Sequence, residues 1–393
     1  MTYRKLFKDY KVIRDLSFVQ FISYFGAWFS NVAIYTMLVK FGSSSFAISI
    51  VTAMHFLPAI IIAPFAGAII DRFKIKELML TLLIIEFLMT LCFLLINSKE
   101  QIWLLLIFIF IRMSCTSMFF STEMSLLAKL LKSDALRKAN EIHSIIWSFC
   151  YAFSMAVSGF VINFVGIKIA FIIDASFFLA AILVFLKINL LVEESDIKDK
   201  FFKIIKDGFL YIKSNKILVH LIILHTSVGL TSFDTLVTLL AKNEYKYIIA
   251  TALSIGISNA IRALALMIGP YLIGKYVNKR SFLYILIFQA LGIWLWGVFQ
   301  FNFYLALIGL FATGFFTTTI WSYTYALIQE NCDKKYLGRV LAYNDMIFMF
   351  SNIITTLFIG LMASLTSLDI ITYIIGFCFI LFAFYYKKVL QWL

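Results

Sequence analysis

Twelve times along its 393 residues this chain returns to a predominantly apolar run close to the length that an α-helix needs to cross a bilayer. That length is about 20 residues at 1.5 Å per residue. A helix satisfies its own backbone hydrogen bonds, so it is the one open-ended element that lipid tolerates. The first six runs are Leu16–Val39, Phe46–Ile70, Leu78–Ile96, Ile102–Leu127, Ile142–Val165 and Ile169–Leu191. The second six are Ile217–Leu240, Ile248–Ile273, Phe282–Phe299, Phe303–Ile328, Val340–Leu365 and Ile370–Tyr386.

Composition removes the alternatives. With 62% hydrophobic residues, 14% charged residues and a mean hydropathy of +0.95, the chain cannot cover itself with a polar surface in water. The net charge of +13 would point to nucleic acid in a soluble protein, but these basic residues lie in short segments between the apolar runs. Of the 34 lysines and arginines, 26 fall in the N-terminal segment, the even-numbered loops and the C-terminal segment, 5 in the odd-numbered loops and 3 within spans. This bias predicts a multi-pass protein of the cytoplasmic (inner) membrane with both ends in the cytoplasm. The partners expected are then lipid and a small molecule, not nucleic acid.

The opening stretch, MTYRKLFKDYKVIRDLS, is too charged for a cleaved signal, so the run after it is expected to remain as the first span. Cys92, Cys115, Cys150, Cys332 and Cys378 form no CxxC and have no histidine at ligand spacing, so neither a disulfide framework nor a metal or cofactor is expected. HExxH, GxSxG and Walker A sequences are absent, which argues against an enzyme and against ATP-driven pumping.

The chain divides into an N-terminal bundle at 1–192, a polar linker at 193–216 and a C-terminal bundle at 217–393. The linker carries Phe201, Phe202, Ile204, Ile205, Phe209, Leu210 and Ile212 among its charges, a pattern suited to a helix on the cytoplasmic membrane surface. The halves repeat weakly. Gly67–Arg72 after the second span answers Gly274–Lys279 after the eighth, and Leu136–Asn140 before the fifth answers Leu337–Val340 before the eleventh. Such a duplication is the architecture of a transporter that rocks about a central site.

At these residues the chain resembles the major facilitator superfamily. Gly67-x-x-x-Asp71-Arg72-x-Lys74-x-Lys76 is similar to that superfamily's signature, with Lys74 in place of a second glycine. Leu136–Asn140, Ala170–Phe177 and Lys206–Asn215 resemble its macrolide-efflux and enterobactin-exporter branch. The acidic residue common near the glycine of the first span is replaced, in Gly26-Ala27-Trp28, and the fifth-span Gly-Pro of antiporters is missing. The resemblance implies an all-α membrane protein of twelve helices in two pseudo-symmetric six-helix bundles. It also implies a conformational latch at Gly67, Asp71, Arg72, Arg137 and Arg339, and a cavity lined by spans 1, 2, 4, 5, 7, 8, 10 and 11.

Ionisable groups inside spans are costly and each needs a reason. Arg112 in the fourth span matches the arginine that the resemblance associates with proton coupling, with Glu86 or Glu123 as its alternative structural partner. His55 and Arg262 occupy equivalent places in the two halves, a pair suited to an anion. Glu123, His225 and Asp234 are candidate proton carriers. Asp174 and Glu86, on peripheral spans, read as structural. Trp321 and Tyr325, in a hydroxyl-rich tenth span, would stack on a ring-bearing ligand, and Asn31 is a weaker candidate of the same kind.

The function expected is therefore secondary active transport, most simply proton-coupled export by a monomer of an amphipathic, anion-bearing small molecule such as a siderophore or drug. Uptake of a metal chelate or other small solute is the alternative. An intramembrane enzyme or a receptor fits less well, because neither needs two matched halves.

Overall fold

The computed structural model describes residues 3–131, 133–190, 201–333 and 335–393. The described regular structure is helical throughout. Twelve helical segments are long and apolar enough to cross a membrane, the number given by the apolar runs.

Two of these segments are broken where the sequence reads as continuous. The second span consists of helices Ser45–Ala53 and Leu57–Arg72, joined by a turn at residues 54–56. Pro58 explains the break, since it lacks an N–H and disfavours helical geometry just before it. The seventh span runs as Lys216–His225, a 3₁₀ stretch Thr226–Thr231, and Asp234–Asn243. Here the run Thr226-Ser227-Val228-Gly229-Leu230-Thr231-Ser232 supplies hydroxyls that compete for backbone groups. Thr231 Oγ1 donates to the Val228 carbonyl at 2.8 Å, and Ser351 Oγ from the eleventh span donates to the Thr226 carbonyl at 2.9 Å.

By mutual packing the chain forms two compact units, one of Met1–Gly42 with Pro58–Lys198 and the other of Ser43–Leu57 with Asp199–Leu393. In the first unit, the first span packs along the fifth and sixth, and the third along the fourth and sixth. Met79, Leu83, Leu126, Phe178 and Phe185 form the buried centre. Helix Tyr3–Asp9 folds back on this unit, with Leu6 buried against Ile13, Leu127 and Ile142, and Tyr3 Oη donates to Glu141 Oε2 at 2.8 Å.

In the second unit, Ser45–Ala53 packs on the eleventh span, and Lys242 Nζ donates to the Ser43 carbonyl at 2.5 Å. The tenth span, Phe303–Glu330, lies against the eighth and ninth through glycine contacts. A Cβ on Gly314 would stand 2.7 Å from the Arg262 carbonyl oxygen, and one on Gly309 would stand 2.8 Å from the Trp296 nitrogen. Small residues let helix backbones meet where lipid provides no hydrophobic drive for association. The linker helix Phe201–Ser214 stacks Tyr211 on Tyr336 at 4.2 Å and sets Gly208 against Arg339, while Phe209 and Leu210 stay exposed. One side of it is thus bound to the loop before the eleventh span.

Gly314→Leu should sharply reduce the yield of folded protein, because the clash involves backbone that cannot move aside. Gly274→Leu, where an added Cβ meets nothing within 4 Å, should be tolerated. Size-exclusion chromatography of fluorescently tagged variants checks the contrast, and equal profiles would refute the close-packing account.

Candidate functional site

The first unit contains two separate groups of buried ionisable side chains on the fourth span. In its N-terminal half, Arg112 forms an ion pair of 2.8 Å with Asp174 from the sixth span, with the two side chains 4% and 0% exposed. Ser30 Oγ from the first span donates to the same carboxylate oxygen. The guanidinium lies over the Phe93 and Phe178 rings at 5.5 and 5.2 Å. Glu86 lies nearby on the third span, within hydrogen-bonding reach of Thr116. Gly26 completes the pocket, because a Cβ there would overlap Asp174 Oδ1. The sixth span therefore supplies a carboxylate next to the helix-1 glycine, where the sequence has only Ala27 to offer. The partner of Arg112 is Asp174, not Glu86 or Glu123.

Eleven residues further along the same span comes Glu123. That is roughly 16 Å along the helix and almost the same face, since eleven residues make close to three turns. Its Oε2 lies 3.6 Å from Nδ1 of His143 on the fifth span. Gln20 Nε2 sits 2.6 Å from the same ring nitrogen, and Tyr24 meets the ring edge-on at 5.9 Å. Asn31 is buried in the first span beside Ser30. His143 was not among the residues expected. It falls at the border of an apolar run, where a polar residue reads as flank. Its signal is the spacing His143, Trp147, Tyr151, one helical face whose upper rings stack at 5.6 Å.

In the second unit, Arg262 does not stand open. Its Nη2 donates to the Thr231 carbonyl at 2.6 Å, its guanidinium lies 5.4 Å from the Phe233 ring centroid, and its charge acts on Asp234. The broken seventh span frees that carbonyl, and the arginine satisfies it. Asp234 opens the helix that follows, where a carboxylate suits the positive end of the helix dipole. His55 lies at the break in the second span, with Nδ1 3.0 Å from the Val51 carbonyl.

His225 is fully buried, with Nδ1 2.7 Å from Thr324 Oγ1. Thr324 donates its own proton to the Ile320 carbonyl at 2.8 Å, so it accepts from Nδ1–H and leaves Nε2 with the lone pair. That Nε2 has no partner. Over the imidazole stand Trp321, Tyr325 and Phe348 at 6.1, 5.8 and 5.5 Å. Trp321 and Tyr325 stack at 4.8 Å with planes 19° apart, and Trp321 remains 37% exposed. Asp345 of the eleventh span, held by Asn344 Nδ2 at 3.3 Å, acts on Tyr325. It too was missed, hidden in the run Ala342-Tyr343-Asn344-Asp345 near a predicted span end.

Among the latch candidates, the side chains of Gly67, Asp71 and Arg137 lie outside the described residues. Arg72 is exposed at the end of its helix, and Arg339 lies 5.6 Å from the Tyr336 ring centroid. Among the described residues no group of three or more His, Cys, Asp or Glu side chains could hold a metal ion.

The Major Facilitator Superfamily profile matches residues 16–302. The chain belongs to the major facilitator superfamily. Two Bacillus subtilis (strain 168) relatives, the uncharacterized MFS-type transporters YkuC and YfiS, are each 26% identical over 229 and 184 residues. These matches cover 55% and 46% of this chain, and 53% and 43% of the relatives. The chain thus spans about half the length of the curated relatives it matches. Among solved structures, the nucleoside transporter NupG superposes with a TM-score of 0.75 at 14% identity, covering 96% of this chain and 98% of that one. A bacterial homolog of the human lysosomal transporter Spinster, inward-facing and occupied, gives 0.76 at 13% identity, covering 98% and 97%. Superfamily membership sets the expectation of secondary active transport that the proposal below takes up.

Arg112→Gln should leave Asp174 buried with no cation, lowering stability by about 3–5 kcal/mol. Adding Asp174→Asn should recover much of the loss, because the unpaired charge is then gone. Thermal unfolding of the single and double variants measures this, and a parent-like melting temperature for Arg112→Gln would show that the pair holds nothing together.

Proposed function

We propose that this transporter exports an amphipathic, ring-bearing small molecule in exchange for protons, by alternating access. The observation that carries the reading is the stacked Trp321–Tyr325 pair, part-exposed at Trp321 and beside His225, whose Nε2 has no hydrogen-bond partner. An exposed π-face with a buried acceptor beneath it can bind a ring and receive one hydrogen bond from it. The resemblance to the macrolide-efflux and enterobactin-exporter branch gives the direction and the substrate class, drug or siderophore. A monomer in the cytoplasmic membrane suits the 26-to-5 charge bias and the family's architecture.

An anion-bearing substrate would be served by unpaired interior arginines, but Arg112 is paired with Asp174 and Arg262 donates to the Thr231 carbonyl. Substrate charge therefore loses that support, and the ring is the recognised feature. Uptake is the second reading. NupG carries nucleosides, and a nucleoside also combines a ring with hydroxyls.

Inverted vesicles under an imposed pH gradient test the reading with a labelled macrolide, a catecholate siderophore and a nucleoside. One of the first two should accumulate, and Trp321→Ala should lower that accumulation about tenfold or more, the scale of one lost aromatic contact. Accumulation of the nucleoside alone, or insensitivity to Trp321→Ala, would overturn the proposal.

Cys332, in the loop between the tenth and eleventh spans, reports orientation. In a variant retaining only this cysteine, a membrane-impermeant maleimide should label inverted vesicles and not intact cells. Burial, and then the Asp333 carboxylate, push this thiol above its ordinary value. The neutral thiol therefore dominates at neutral pH, and labelling should quicken roughly tenfold per unit from about pH 7 to 8.5. Labelling of intact cells would reverse the topology.

A further inference from the structure

The Arg112–Asp174 pair is a poor store for an exchangeable proton, because a permanent cation and a hydroxyl both bind the carboxylate in place. The second group on the fourth span is built differently. Glu123 and His143 have side chains 3% and 8% exposed, and their closest approach of 3.6 Å is an ion-pair distance rather than a hydrogen bond. Glu123 Oε2 and His143 Nε2 have no hydrogen-bond partner. No lysine or arginine among the described residues pairs with Glu123. The groups facing the pair are Gln20 and Tyr24 of the first span and Phe120 of the fourth. Tyr24 also feels Glu86 and Cys150, both buried or half-buried and neither in contact with the pair.

Simple charge counting shows what such a pair does. With one proton between them the two groups are neutral overall, either as carboxylate and imidazolium or as carboxylic acid and imidazole. Loss of that proton leaves a net negative charge in a buried site, and gain of a second leaves a net positive one. Burial penalises both extremes. Gln20 can follow the change, since its amide offers N–H to a bare Nδ1 and its carbonyl to Nδ1–H.

We infer that Glu123 and His143 form one proton-binding site, held by Gln20 and walled by Tyr24 and Phe120, and that this site carries the coupled proton. The inference rests on the proton-coupled reading above and assigns its residues. Trp147 and Tyr151, one and two turns from His143 on the same face, place the site beside an aromatic stack of the first unit, whose third ring is Trp28, 4.6 Å from Tyr151. Ligand contact with that stack would be felt one helical turn from the proton.

The test needs no substrate. The chain has four histidines, so imidazole resonances of the full-length protein labelled with ¹⁵N-histidine in detergent are resolvable, and His143→Gln identifies the one at issue. That resonance should shift with pH through a single step shared with Glu123. Glu123→Gln removes the anion that favours imidazolium and should lower the midpoint by about one pH unit or more. Asp174→Asn should leave it unmoved. Should Glu123→Gln fold poorly, Glu123→Asp, which retracts the carboxylate by one methylene, should lower the midpoint by a smaller amount. A midpoint indifferent to both changes at Glu123, or moved equally by Asp174→Asn, would overturn the site. In vesicles, Glu123→Gln should also abolish the response to a pH gradient. If the parent itself shows no response while the titration behaves as expected, the coupling role fails and with it the proton-coupled reading of the chain.

Discussion

Hydrocarbon offers no hydrogen bond, and most of this structure follows from that constraint. Each place where a span stops being a regular helix must be satisfied from within the protein. The seventh span breaks at a serine- and threonine-rich stretch, and the freed Thr231 carbonyl is met by Arg262 from the eighth span. Asp234, just beyond, gives that arginine a nearby opposite charge and sits at the start of the next helix. The same rule applies to charges. Arg112 is tolerable inside the first unit because Asp174, with help from Ser30, neutralises it. Gly26 leaves the room for this, so a residue without a side chain is part of the electrostatics.

Interior charges in the two units thus divide by how firmly they are held. Arg112 with Asp174, and Arg262 with Thr231, are direct contacts of a permanent cation that tie helices together. Glu123 with His143, and His225 under its aromatic rings, are buried groups with an atom left over. Transport chemistry requires groups that change partners, because a ligand or proton shifts a conformational equilibrium only through differential interactions. On the proposed reading the loosely held groups are the mechanistic ones, and the strongly paired arginines belong to the scaffold. This reverses the weight that composition alone places on the arginines, the costliest side chains to bury.

Hydrophobic length made the twelve spans legible before any coordinates, and charge bias their expected orientation. Those properties are local, since a helix crosses the bilayer according to its own composition. The reading of Trp321 and Tyr325 as one face also came from local pattern, since they lie one turn apart, whereas the place of His225 beside them came only from the fold. His143 and Asp345 escaped because each lies within a turn or two of a predicted span end, where polar residues are ordinary. Pro58 marked a break that the apolar count passed over.

What only the tertiary structure decided is which distant residues share a charge. Asp174 lies 62 positions from Arg112, and Thr231 lies 31 from Arg262. Neither spacing has a period that a helix or a strand would reveal. These partnerships depend on which faces the spans turn toward one another, and that is set by side-chain packing and glycine contacts between helices. The sequence alone determined that this chain crosses a membrane twelve times. Packing decided which of its buried charges face a permanent opposite charge and which do not, because in low dielectric a charge's role depends on its partner and not on its own identity.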